Sequence, residues 1–535
     1  MTTISAAPAR PALTRSGAGD LAWWVALTVL CLVLLVPLLV VDVPPLVDYP
    51  NHLARVFVLA SLPGDTILAR FYASHWSIIP NLALDLIAPP LTHVLPVYVV
   101  GRLLIAVAVL LPVWGTVAYN TALGGRWWSL GVGLIAYNSC LLYGFLNFLI
   151  SLGLALLLAA GWLRWREDRP WRAIALALAG TPVLFACHLM GLVFFGLLIG
   201  GTELFRLYSP PSSGTRSRLA PNGPRRHGLL RSAIVRALVL LLVFAIPAGL
   251  YAVSALRQLG GDAEFLPVGE KLIQLVTTFV NYVWPLDLAT ASLAIALPTL
   301  SVLLRWGRVP GPAACGLALL LITFLAAPYA WKATYALDTR VAIMLGFMLF
   351  AGFVPTRWPP ALRFVAVAGL VLFFVARMAI LTTAWAAHAT DLADLRRVLA
   401  PVRPGQAVYV AEASLQDAPA YWAANPGWRL LADGVRTDEH LGALILIEHR
   451  AYWPFEFDNP SQQPMETLEP YRALAGQVGN LPSRQVAAVA NVCGFDYVLM
   501  MEADAVPDLP ATRFRLLVRS GFAALYAITK CEADG

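Results

Sequence analysis

From Leu21 to Ala384 the chain is a succession of long apolar runs separated by short polar breaks, many of them carrying arginine. The first run, Leu21–Val41, is followed by others near 94–119, 129–143, 145–163, 173–187, 189–206, 234–253, 288–304, 312–328, 339–355 and 363–384. A bilayer core about 30 Å thick is crossed by about 20 helical residues, so this pattern predicts roughly eleven transmembrane helices. The shorter runs are expected to tilt or to pair as re-entrant hairpins. After His388 the pattern changes: Ala407–Ala411 and Tyr497–Met501 are β-rich, whereas Val486–Val492 and Pro510–Arg519 have helical character, which predicts a small α/β domain. The expected organisation is a short N-terminal tail over residues 1–20, a polytopic α-helical membrane module over 21–388 with a long outer loop at 42–93, and a C-terminal extracytoplasmic α/β domain over 389–535.

Composition sharpens this picture. Hydrophobic residues make up 59% of the 535 and charged residues 13%, against about 25% charged in soluble domains, which excludes a large soluble enzyme and a disordered chain. The net charge of +7 is unevenly divided: from Asp391 onward there are 12 Lys and Arg against 18 Asp and Glu, leaving 26 against 13 for everything before. The positive charge is dispersed in short loops, where it orients helices and forms no face for nucleic acid.

The first run follows Arg10 and Arg15 and lacks a small-residue cleavage site, so it reads as an uncleaved signal anchor with its N-terminus inside. Alternating sides from there puts Arg126, then Arg164, Arg166, Arg169 and Arg172, then the Ser209–Arg231 stretch, then Arg305 and Arg308, then Arg357 in cytoplasmic loops, as the positive-inside rule requires. An odd number of crossings leaves the acidic C-terminal domain outside. The Pro-, Ser-, Gly- and Arg-rich Ser209–Arg231 stretch is expected to be a connector.

The outer loop 42–93 is longer than a connector needs, and it holds two segments opened by proline, Pro50–Leu62 and Pro80–Ile87, that suit surface helices. Asp48-Tyr49-Pro50-Asn51-His52 sits at the start of the first. With Pro50 in the first turn, Asp48 and His52 converge, and a carboxylate there can take a proton from an incoming hydroxyl while His52 or Arg55 holds it ionised. The plainer role for Asp48 is a helix cap. Asp42, at the end of the first span, is the rival carboxylate, and its plainer role is an interfacial residue facing water. His75, Asn81 and Asp85 form a second polar set, with Asn81 and Asp85 spaced to share a helix face. His188 falls between two apolar runs, where an ionisable group marks a cavity or packs as a satisfied core histidine. Lys332, Asp338 and Arg340 stand at the outer boundary of two late spans; the cations suit a lipid phosphate, and an Asp338–Arg340 pair is the alternative.

Metal and nucleophile motifs are absent: there is no His-Glu-x-x-His, no paired Cys-x-x-Cys and no Gly-x-Ser-x-Gly. Cys31, Cys140, Cys187 and Cys315 lie in apolar runs and suit packing, whereas Cys493 and Cys531 share the outer domain and invite a disulfide. Trp422, Trp428, Tyr452 and Trp453 are candidates for stacking on sugar faces or for the domain core.

An inside-to-outside anchor, a long outer loop with an acidic residue soon after the span and two surface helices, about ten further crossings and an outer C-terminal domain resemble the GT-C superfamily of membrane glycosyltransferases. The resemblance covers the whole chain in architecture and is thin in motifs. It implies a glycosyltransferase that moves a hexose or pentose from a polyprenyl-phosphate donor to a glycan, lipid or protein acceptor hydroxyl with inversion, in contact with membrane lipids and without nucleic acid. The expected location is the bacterial inner membrane. By position the general base implied is Asp48, with Asp42 second. Many relatives carry an adjacent acidic pair, whereas here a single Asp is followed by Tyr49-Pro50-Asn51-His52. No cofactor is required by this scheme, and a divalent metal is permitted but not implied. A lipid or polysaccharide transporter or flippase, expected to show internal repeats that this chain lacks, and a non-catalytic scaffold of the same fold are the alternatives.

Overall fold

The computed structural model describes residues 17–208, 225–332, 334–413, 415–416, 418–424, 427–478 and 490–529. Eight of the described helices are long and apolar enough to cross a membrane: Gly19–Leu39, Val97–Ala122, Leu146–Trp165, Pro170–Cys187, Leu189–Tyr208, Leu230–Val253, Trp284–Leu303 and Pro360–Leu399. Two further apolar helices, Gly311–Ala326 and Leu337–Ala351, are shorter. Most of the connector expected at Ser209–Arg231 lies outside the described residues, and Arg225 already opens the helix that runs to Val253.

The run at 129–143 does not form the expected transmembrane α-helix. It is a 3-10 helix, Trp127–Ile135, followed by a bend and the short helix Ser139–Leu142, whose first turn is capped by the Asn138 side chain accepting from Leu141 N at 3.2 Å. The apolar count there reflects burial rather than a span. Gly131 and Gly133 pack so closely that an added Cβ would lie 2.7 Å from Phe350 and 2.6 Å from Leu30. Where an apolar run is buried on all sides by neighbouring helices, hydropathy alone cannot fix its backbone form.

Small residues set the tightest crossings. A Cβ at Gly153 would meet the Leu111 carbonyl carbon at 2.5 Å, and one at Gly115 would meet the Gly153 oxygen at 2.6 Å, so Val97–Ala122 and Leu146–Trp165 cross nearly backbone to backbone. Gly201 and Gly316 make a second such contact between Leu189–Tyr208 and Gly311–Ala326. Lipid offers no hydrophobic drive for helix association, so this close packing is what holds the bundle. Within it, Arg377 of Pro360–Leu399 is ion-paired with Asp287 of Trp284–Leu303, both side chains buried.

Pro360–Leu399 is 40 residues long, about 60 Å at 1.5 Å per residue, twice the thickness of a bilayer core. It passes unbroken through residue 388, and its last turns bury His388, Leu392, Leu395 and Leu399 beside a four-stranded sheet. That sheet has the order Val408–Glu412, Tyr497–Met501, Ala523–Ile528, Phe514–Ser520; the first pair is parallel and the other two are antiparallel. Arg429 grips Asp391 of the long helix through two contacts of 2.8 and 2.9 Å.

The β-rich runs of the sequence are therefore strands, but Pro510–Arg519 is not helical. Phe514–Ser520 turns back through Gly521, at φ +50, and pairs with Ala523–Ile528. Hairpin pairing on an existing sheet outweighs the helical propensity of its Leu and Arg residues. Of Val486–Val492, only the last residues are described, as part of the 3-10 helix Ala490–Gly494. Cys493 is disulfide-bonded; its expected partner, Cys531, lies outside the described residues.

Candidate functional site

The chain leaving the first membrane helix is stitched to the turn before Leu146–Trp165. Val47 N donates to Leu142 O at 2.9 Å and Asp48 N to Tyr143 O at 3.1 Å. Gly144, at φ +89, lets this turn close: a Cβ there would lie 3.0 Å from the Cβ and the backbone nitrogen of Asp48. Tyr49–Ser61 then begins with Pro50 in its first turn, where the missing N–H is no loss. Asp48 occupies the cap position, yet its side chain makes no capping bond. Its Oδ1 instead lies 3.1 Å from Nδ1 of His440, at the start of a short helical stretch of the C-terminal domain.

Burial pulls the His440 imidazole down, but the Asp48 carboxylate, followed by Glu439 and Glu412, outweighs it and leaves its pKa above the usual 6.5. His52 behaves oppositely. Burial and then Arg55 push it down to about 3, so it is neutral. Nη1 of Arg55 lies 3.1 Å from its Nδ1; a guanidinium only donates, so Nδ1 accepts and Nε2 carries the proton. Phe457 lies edge-on between the two rings, 5.6 Å from His52 and 5.1 Å from His440.

Arg55 is committed beyond His52. Its Nε and Nη2 donate to the Asp85 carboxylate at 2.8 and 3.4 Å, both side chains almost wholly buried, which locks Tyr49–Ser61 to Ala83–Thr92. The same surface carries the C-terminal domain. Asn51 donates to Phe455 O at 2.9 Å and accepts from Phe457 N at 3.0 Å, and Tyr72–Ser74 pairs antiparallel with Met465–Thr467. Residues 456–463 are thus tethered at both ends to the loop 42–93.

Between that segment and the membrane helices lies a cavity of about 870 Å³. Its polar wall includes Asp48, His52, Asn81, Asn147, His188, Lys332, Arg340, Glu456 and Gln463, and its apolar wall includes Leu84, Leu146, Phe148, Leu189, Val193 and Val341. Lys332 Nζ donates to Arg257 O at 3.3 Å. Arg340 is 6% exposed, donates Nη1 to Tyr335 O and lies 4.3 Å over the Phe145 ring, while its Nε has no partner among the described residues. Glu456 is buried with neither carboxyl oxygen hydrogen-bonded among the described residues. Burial pushes its pKa well above the ordinary carboxylate range, against an opposing pull from Arg55. A group of this kind is normally paired, and when unpaired in a native protein it often marks a functional position.

The sequence candidates divide clearly. Asp48, His52, Asn81, His188, Lys332 and Arg340 line the cavity. Arg55 and Asp85 are the buried pair behind it. Asp42 lies outside, bound by Arg396 at 2.6 Å, which also holds Glu448. His75 is exposed outside the cavity, with its backbone N–H on Pro464 O. Asp338 is buried against Lys271 at 3.4 Å, so no Asp338–Arg340 pair forms. The shared helix face expected for Asn81 and Asp85 is not realised: the helix begins at Ala83, and Asn81 sits before it at φ +73 with its carbonyl accepting from Asn147. His188 ends Pro170–Cys187 with its Nδ1 accepting from Met190 N at 3.1 Å. Trp422, Tyr452 and Trp453 are buried in the core, and Trp428 donates to Asp391, so none of the four lines the cavity.

Sequence reasoning missed His440 and Glu456. The one available signal for His440 was an isolated histidine in the acidic run Asp438-Glu439-His440, and nothing local told that it faces Asp48. Among the described residues no group of three or more His, Cys, Asp or Glu is placed to hold a metal ion.

One solved structure shares this fold. ArnT from Cupriavidus metallidurans, bound to undecaprenyl phosphate, aligns with a TM-score of 0.50 over 95% of this chain and 98% of its own, at 12% identity. At that identity the likeness concerns the fold alone. No protein-family model and no curated protein matches the chain.

Proposed function

We propose that the protein is a membrane glycosyltransferase that takes a sugar from a polyprenyl-phosphate donor and passes it to an acceptor hydroxyl on the outer face of the membrane. The observation that carries this reading is that Asp48, paired with His440, lines a cavity that also presents Lys332 and Arg340. The neighbour of the same fold holds undecaprenyl phosphate, and the apolar wall here suits the prenyl tail of such a lipid.

In this scheme Asp48 is the general base. His440, with Nδ1 3.1 Å from Oδ1, steadies the carboxylate when protonated, leaving Oδ2 to take the acceptor hydroxyl proton. The acceptor oxygen bonds to the anomeric carbon as the carbon–oxygen bond to the phosphate breaks on the opposite side, which inverts the centre. The electron pair leaves with polyprenyl phosphate, and Lys332 and Arg340 stabilise that developing charge from fixed positions in a largely dry site. Neutral His52 supplies an Nε2–H donor beside the base. The positive-inside pattern supports placing the N-terminus in the cytoplasm and the C-terminal domain outside, in a bacterial inner membrane.

The test is direct. The purified chain in nanodiscs is given a panel of radiolabelled undecaprenyl-phosphate hexoses and pentoses with envelope glycolipid extract as acceptor. Transfer of label from at least one donor, with release of undecaprenyl phosphate, is expected; no transfer and no binding of undecaprenyl phosphate would sink the reading.

A further inference from the structure

Three side chains of the cavity wall share an unusual state. Glu456 and Gln463 come from the C-terminal segment, and Asn147 from the start of Leu146–Trp165; all three are more than nine-tenths buried. Both oxygens of Glu456, Oε1 of Gln463 and Oδ1 of Asn147 have no hydrogen-bond partner among the described residues. Nδ2 of Asn147 donates to Asn81 O at 2.8 Å, which identifies Oδ1 as its orphaned atom.

We propose that Glu456, Gln463 and Asn147 form the subsite that recognises the glycosyl group, exchanging hydrogen bonds with its hydroxyls. This deepens the proposed function and rests on it. Gln463 and Asn147 present orphaned acceptors, and Glu456, held protonated by burial, presents an acceptor and a hydroxyl donor. A prenyl chain can neither donate nor accept, and a phosphate diester has no hydrogen to donate. A sugar supplies several O–H donors on a compact frame. Its place follows from covalent structure: with the phosphate held by Lys332 and Arg340, the attached glycosyl group must lie beside it in the same cavity. The oxygens are closed off from solvent, so the sugar engages them after a turn of each side chain toward the cavity. A site that leaves buried polar groups unpaired in the absence of the right hydroxyl discriminates strongly against ligands lacking it.

The experiment measures binding by quenching of intrinsic tryptophan fluorescence, Trp331 lying in the cavity wall. The probes are undecaprenyl phosphate and its glucosyl, galactosyl and arabinosyl forms. Wild type is expected to bind at least one glycosylated form about tenfold or more tightly than the bare lipid. Glu456→Ala, Gln463→Ala and Asn147→Ala should each erode that preference while keeping affinity for the bare lipid within about twofold, which also reports an intact fold. Where Glu456→Ala does not fold, Glu456→Met, of similar volume and without either oxygen, replaces it and should weaken the preference in the same direction. A preference that survives all these substitutions, or a wild type that treats glycosylated and bare lipid alike, overturns the subsite but leaves lipid-phosphate binding standing. Failure of wild type to bind even the bare lipid overturns the underlying reading as well.

Discussion

Asp48, just past the first membrane helix, and His440, in the C-terminal domain, meet at 3.1 Å between Oδ1 and Nδ1. The contact joins the membrane module to the C-terminal domain through two ionisable groups, and it removes Asp48 from the capping role its position invites. A cap would face its own helix. This carboxylate faces a partner and a cavity.

The pair makes stability depend on pH. The folded pKa of His440 is raised above 6.5, so the folded chain holds that proton more tightly than the unfolded one. Its contribution is complete below the unfolded value and is lost as pH rises through the folded value. The melting temperature of wild type minus that of His440→Gln should therefore be largest on the acid side of pH 6.5 and shrink as pH rises. Thermal unfolding in detergent across pH 5.5 to about 9 checks this, and a difference that grows with pH would contradict it.

Arg55 and Asp85 are buried together, and removing one partner strands the other. Arg55→Ala is expected to destabilise the packing of Tyr49–Ser61 on Ala83–Thr92 by about 3–5 kcal/mol. The double variant Arg55→Met with Asp85→Leu should recover most of that, since an apolar pair of similar volume needs no compensation. Denaturation of the three proteins side by side decides it; a double variant as unstable as the single one would show that Arg55 acts mainly through His52.

Gly144 controls where Asp48 sits. Gly144→Ala forces a left-handed backbone on a residue with a Cβ and places that Cβ against Asp48. A shift of about 1 Å in a catalytic group can cost about 10²-fold in rate, so turnover should fall at least about tenfold, with donor affinity little changed. Equal losses in both would indicate general disruption of the fold.

Lys332 and Arg340 should act on binding. Hydrogen bonds to charged groups contribute about 1.5–3 kcal/mol each, so Lys332→Ala and Arg340→Ala are each expected to weaken undecaprenyl phosphate by roughly 10- to 100-fold. Titration of the lipid into nanodisc-held protein measures it. Wild-type affinity in both variants would move the phosphate elsewhere in the cavity.

Much of the architecture was legible in the hydropathy pattern because transmembrane helices must satisfy their backbone internally and so leave long apolar runs. The rule failed at 129–143, where helix-on-helix burial leaves the same apolar signature without a span. In the C-terminal domain Tyr497–Met501 was readable as a strand, being flanked by turn residues and rich in β-formers. Phe514–Ser520 was not, because its strand form depends on pairing with Ala523–Ile528. The site was half readable. Asp48 and His52 are close in sequence and converge through one helical turn, and Lys332 and Arg340 flank one loop. The partnership of Asp48 with His440 and the arrival of Glu456 in the cavity wall are long-range contacts made by docking of the C-terminal domain, and no local pattern encodes them.

The central claim, that Asp48 is the base of a sugar transfer, is tested most directly by Asp48→Asn in the nanodisc transfer assay, with lipid binding measured on the same preparation. The near-isosteric amide cannot take the proton, so turnover should drop by roughly 10²–10⁴-fold while undecaprenyl phosphate binds as to wild type. Near-wild-type turnover in Asp48→Asn would contradict the account.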